Sequence, residues 1–136
     1  MPKGGTWGPA KPTSIPEPVQ ASIRERINAH AAKNYSGQYT RLDIRFNGRF
    51  CYVDGFKEPD DCDMSPPSFS GTAEQWLQHV RDTPIHLIRL AYLGNSENWN
   101  LAFFTYSNEK YTKCVFPDGS FEGSPEDGFD IGAMYL

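Results

Sequence analysis

Apolar residues recur at two different periods along this chain, and the changes of period mark its elements. Val19, Ile23, Ile27 and Ala31 return every four residues, the stripe of an amphipathic helix over residues 18–34. Pro18 suits its first position, Asn34 and Ser36-Gly37 its stop, and Arg24, Glu25, Arg26 and Lys33 make its outer face polar. His30 lies at the edge of the stripe, where a histidine is normally a hydrogen-bonded boundary residue. Over residues 39–56, YTRLDIRFNGRFCYVDGF, the period drops to two. Asn47-Gly48 suits a type I′ turn, and the flanks are rich in β-branched and aromatic residues, so this stretch reads as a β-hairpin. Setting Phe46 opposite Arg49 pairs Arg45 with Phe50, Ile44 with Cys51, Asp43 with Tyr52, Leu42 with Val53 and Arg41 with Asp54. One face then carries Leu42, Ile44, Cys51 and Val53, which want burial. The other carries Arg41, Asp43, Arg45, Phe50, Tyr52 and Asp54.

The second half repeats the alternation between helix and strand. Thr72 with Gln75 three residues on is a capping-box pattern, opening a helix over residues 72–82 with a Trp76, Leu77, Val80 stripe that Pro84 brings to an end. Residues 85–93, IHLIRLAYL, are nearly continuous in apolar side chains, as in a central strand. Strict alternation puts Ile85, Leu87, Arg89 and Ala91 on one face and His86, Ile88, Leu90 and Tyr92 on the other. Strands over 99–106 and 111–116 follow, the second stopped by Pro117-Asp118-Gly119. Ser124-Pro125-Glu126-Asp127 then announces a last helix with Phe129, Ala133 and Met134. Gly128 and Gly132 weaken that helix unless it packs closely. The expected fold is α+β: an antiparallel sheet of about five strands, a hairpin plus a three-stranded meander, with two to three helices packed on it.

Composition narrows the domain organisation and the function classes. Residues 1–16 are Gly/Pro-rich and read as a flexible tail, with Trp7 its one large ring, ahead of a single domain over 17–136. A formal net charge of -4 disfavours a dedicated nucleic-acid binder. Three separate cysteines, Cys51, Cys62 and Cys114, fit a reducing, cytoplasmic setting, and no apolar run is long enough to span a bilayer. The loop over residues 57–70 carries Asp60, Asp61, Cys62 and Asp63, but their spacing matches neither a calcium loop nor a zinc site. No metal or cofactor is therefore expected. There is no phosphate-binding glycine loop, nucleophile elbow or metalloprotease motif.

YTRLDIRFNGRFCYVDGF together with LAFFTYSNEKYTKCVFPDGSFEGSPEDGFDIGAMYL resembles a family of small bacterial cytosolic proteins without an assigned function, over roughly residues 23–136. The resemblance implies a bacterial, cytosolic origin and supplies no activity or site residues. The residues themselves favour binding over catalysis. Arg41, Arg45, Phe50 and Tyr52 are the residue types that anchor protein interfaces, with another protein or a second copy as partner. The alternative is a phosphodiester- or RNA-processing groove in which His86 acts as acid or base beside Arg89 and Tyr92.

Overall fold

The computed structural model describes residues 14–60 and 64–136. Helix α1 (Glu17–Asn34) leads into strands β1 (Arg41–Asn47) and β2 (Phe50–Phe56). Helix α2 (Ala73–Asp82), strands β3 (Ile85–Tyr92), β4 (Trp99–Thr105) and β5 (Lys110–Cys114) and helix α3 (Pro125–Gly132) follow, with a final 3-10 turn at Ala133–Tyr135. The hairpin and the later meander form one antiparallel sheet in the order β1-β2-β3-β4-β5, with β3 central. The α+β class and the five-strand antiparallel sheet are as expected. Trp7 and residues 61–63 of the acidic loop lie outside the described residues. Ile15, which composition places in the tail, is 3% exposed, and its N–H donates to the Gly48 carbonyl at 3.1 Å. No helix among the described residues is long and apolar enough to cross a membrane.

The core lies between one face of the sheet and helices α1 and α3. Ile23, Ile27 and Ala31 of α1 and Phe129 of α3 meet Ile44, Cys51, Val53, Leu87, Ile88, Leu90 and Leu101. Burying each large side chain contributes about 1.5–3 kcal/mol. The two helices are also joined by two hydrogen-bonded side-chain pairs one turn apart. Arg26 of α1 donates to both carboxylate oxygens of Glu126 (2.8 and 2.7 Å), and His30 bonds Asp130 (2.7 Å), which also accepts from the Tyr35 hydroxyl (2.6 Å). His30 is thus the hydrogen-bonded boundary residue its position suggested. Thr72 and Gln75 complete the expected capping box of α2, yet α2 buries none of its residues fully, so Trp76, Leu77 and Val80 are only half-covered. Met134 stays exposed at the far side of the last turn.

Two local features set which side chains share a face. The first is the hairpin turn. Gly48 has φ +61° and Arg49 does not take a positive φ, so Gly48-Arg49 is the two-residue connection, with glycine in the first central position as in a type II′ turn. Asn47 is spared the left-handed conformation a type I′ turn would impose. The register therefore moves by two: Asn47 pairs with Phe50, Arg45 with Tyr52, Ile44 with Val53 and Asp43 with Asp54, correcting the pairs expected from sequence. A two-residue shift preserves sidedness, and Ile44, Cys51 and Val53 are buried as expected, with Leu42 half-buried.

The second feature is a bulge. Val53 pairs with Ile88 but Asp54 pairs with His86, leaving Leu87 as the extra residue of β3. Leu87 and Ile88 both go to the helix side, and both are fully buried. This is why IHLIRL reads as a continuous apolar run. It also reverses the parity across the bulge, so that His86 and Arg89, expected on opposite faces, share the face away from the helices. Helix α3 approaches the sheet at this point through a glycine. A Cβ on Gly132 would lie 2.9 Å from the Leu87 backbone carbon and oxygen and 2.7 Å from Ile88 Cγ2.

Candidate binding face

The sheet face opposite α1 and α3 is ordered into rows by the strand register. One row reads Arg45, Tyr52, Arg89, Ala102, Lys113 from β1 to β5. Beside it on one side run Asp43, Asp54 and His86, flanked by the paired Phe104 and Tyr111. Beside it on the other run Asn47, Phe50, Ala91 and Asn100. At the usual spacing of neighbouring strands the first row spans roughly 19 Å.

Asp54 organises the middle of this face. It is 2% exposed, and its two oxygens accept from different partners: Oδ1 from His86 Nδ1 and Oδ2 from Arg45 Nη2, each at 2.9 Å. Arg45 also reaches Asp43 at 3.2 Å, so one guanidinium sits between the two carboxylates that the register sets opposite each other. A carboxylate only accepts, so its bond places a proton on Nδ1 of His86 and makes Nε2 the acceptor of the neutral ring. The backbone N–H of His86 donates to the Tyr106 hydroxyl at 2.8 Å. A groove of about 510 Å³ opens here, lined by Arg45, Tyr52, His86, Phe104 and Tyr111 among others.

Around it the rings contact one another edge to face and the guanidiniums lie over ring faces. Tyr52 and Phe104 both meet Tyr111 in T-shaped contacts, at 5.4 and 5.1 Å. Arg89 sits 4.5 Å from the Phe50 ring centre and 5.5 Å from that of Tyr111, Arg49 sits 5.0 Å from Phe50, and Arg45 5.7 Å from Tyr52. Such contacts contribute about 0.5–1 kcal/mol each at exposed sites and hold a flexible cation in one place. Burial pushes the Tyr111 hydroxyl up to about 12, so it stays protonated at neutral pH. A second cavity, of about 210 Å³, lies along Arg49, Phe50, Arg89 and Lys113.

Of the residues singled out from sequence, Arg45, Phe50, Tyr52, His86 and Arg89 are together on this face. Arg41 belongs to the same side of β1 but lies at its far end, over the buried Phe56 ring at 3.8 Å. Tyr92 is separated from the others, correcting its place beside His86 and Arg89. It is 7% exposed on the helix side, packed against Trp99 with ring centres 5.2 Å apart. Sequence reasoning missed Asp54 as the shared partner of Arg45 and His86, because the wrong register assigned it to Arg41. It also missed Arg49, Tyr111 and Lys113. Reading the alternation of residues 110–114 as closely as that of the hairpin would have put Tyr111 and Lys113 on one face.

The chain matches no family model, no curated protein and no solved structure. The geometry alone therefore carries the functional argument.

Proposed function

We propose that the protein is a binding module whose open sheet face takes up an acidic segment of a protein partner. The observation that carries this reading is the set of guanidiniums placed over aromatic rings on a sheet face that neither α1 nor α3 covers. Tyr and Arg are enriched in interface hot spots and Phe in interfaces generally, because they bring large contact area and, for Arg, a planar fork that matches carboxylates. The face carries Arg45, Arg49, Arg89 and Lys113 against Asp43 and Asp54, and both of those carboxylates are already bonded to Arg45. The surplus is positive, although the whole chain carries -4. With Phe50 and Tyr52 already faced by guanidiniums, the surface suits anionic side chains better than stacked nucleobases. The test is affinity capture from the native host with the wild-type protein and with Arg45→Glu and Tyr52→Ala. One stoichiometric acidic protein, retained by the wild type and lost with both variants, supports the reading. RNA in its place, or retention unchanged by either variant, refutes it.

The pair of His86 and buried Asp54 favours a second reading, acid–base chemistry on a phosphodiester in the 510 Å³ groove. It requires His86→Asn to abolish cleavage of a single-stranded RNA oligonucleotide by the wild-type protein. If the wild type leaves the RNA intact, this reading fails.

A further inference from the structure

The geometry points to a phosphate-monoester site in the cavity that runs from the hairpin turn across β2, β3, β4 and β5, formed by Arg49, Arg89 and Lys113. This rests on reading the open face as a binding surface and names the chemistry recognised at one corner of it. Three cations line a cavity of about 210 Å³, and among the described residues none of them belongs to an ion pair. Of the other arginines, Arg26 meets Glu126 and Glu97, Arg45 meets Asp54 and Asp43, and Arg81 meets Glu58, while Arg24 donates to the Ile44 carbonyl and Arg41 lies over Phe56. Three neighbouring like charges without a counter-charge repel one another and oppose folding, an arrangement that a bound anion relieves.

The donors are also prearranged. Arg49 and Arg89 are both held against the ring of Phe50, at 5.0 and 4.5 Å, so little freedom remains to be lost when they close on a ligand. Nη1 of Arg49 is buried and, among the described residues, donates to no acceptor, an expensive state for a charged donor. The two guanidiniums supply planar forks and Lys113 a point charge. A phosphate-monoester dianion, with three terminal oxygens, meets these three cations better in charge and in number of acceptors than a single carboxylate does. Its source is a phosphorylated side chain of a partner or a small phosphorylated molecule.

The experiment titrates the full chain with inorganic phosphate, with a phosphoserine peptide, and with the same peptide carrying Ser or Asp, by calorimetry and by NMR of the arginine Nε–H groups. Phosphate and the phosphopeptide are expected to bind and to shift the Arg49 and Arg89 signals. Arg89→Gln with Lys113→Gln should weaken binding at least about tenfold, whereas Arg41→Gln, at the other end of the face, should leave it unchanged. A phosphopeptide that binds more tightly than free phosphate identifies a partner's side chain as the source, and equal affinities identify a small molecule. The inference is overturned if phosphate does not bind, if the double variant binds as the wild type does, or if the Asp peptide matches the phosphopeptide. Failure here with capture of the protein partner intact removes only the phosphate site. Phosphate binding without a captured protein removes only the protein-interaction reading.

Discussion

Replacing Gly132 by alanine tests how α3 is seated on the bulge that shapes the open face. In an isolated helix this change is favourable by about 1 kcal/mol, because alanine loses less backbone freedom than glycine. Here the added methyl would lie 2.9 Å from the Leu87 backbone carbon and oxygen and 2.7 Å from Ile88 Cγ2. Backbone cannot rotate aside, so the helix must lift or the bulge must move, and overpacking of this kind costs about 1–3 kcal/mol. With the remaining contacts of α3 loosened as well, we expect a net loss of about 1–2 kcal/mol. Gly128→Ala is the control. Its methyl would meet only side-chain tips, Leu90 Cδ2, Leu101 Cδ1 and Phe116 Cε1, at 3.1, 3.2 and 3.3 Å. Those tips can shift by tenths of an ångström, so the gain in helix propensity should leave Gly128→Ala within about 1 kcal/mol of the wild type. Urea unfolding followed by fluorescence of the buried Trp99 measures both changes. Because the clash falls on Leu87, the His86 and Arg89 amide resonances should also move in Gly132→Ala. A Gly132→Ala protein as stable as the wild type, or one that loses less than Gly128→Ala, would falsify the close-seating argument.

Three further predictions concern the turn, the helix clamp and the tyrosines. Gly48→Ala places a methyl group at φ +61° and should cost about 1–2 kcal/mol in urea unfolding, whereas Asn47→Ala should cost much less. Hydrogen bonds from Arg26 hold the Glu126 carboxyl below its ordinary range. This stabilisation is complete above the unfolded carboxyl's pKa of about 4.3 and is lost as pH falls through the lower folded value. Between about pH 5 and 3 the wild type should therefore lose more stability than Glu126→Gln. Burial, with the Asp130 bond, pushes the Tyr35 hydroxyl up to about 12, and burial does the same to Tyr111. Their stabilisation is complete below the unfolded tyrosine's pKa of about 10 and disappears as pH rises through the folded values. Ultraviolet titration should show Tyr35→Phe and Tyr111→Phe each removing a late-ionising tyrosine, and an unchanged titration would count against the packing around these rings.

How much of the site could be read in advance depended on whether its cause was local. Capping of α2 by Thr72 and of α3 by Ser124-Pro125 depends on a few consecutive residues, and both helices start where those residues say. The face assignment of the hairpin survived an error in its turn because strand sidedness has a period of two. Pairing did not survive, since the choice between Asn47-Gly48 and Gly48-Arg49 depends on which residue takes the positive φ in the finished sheet. The site needed more than local information. Parity along IHLIRL separates His86 from Arg89, and only the bulge at Leu87, fitted between β2 and the Gly132 turn of α3, brings them to one face.

The amino-acid sequence by itself determined the order of helices and strands and an aromatic, arginine-bearing hairpin face turned away from the core. Those properties follow from side-chain periodicity and caps, which act over fewer than ten residues. Only the tertiary structure decided that Asp54 would join Arg45 to His86, that Tyr92 would point into the core, and that Arg49, Arg89 and Lys113 would line one cavity. Each of these is a matter of register between distant strands. Register is settled by the whole core closing at once, because one inserted residue turns every side chain beyond it to the other face.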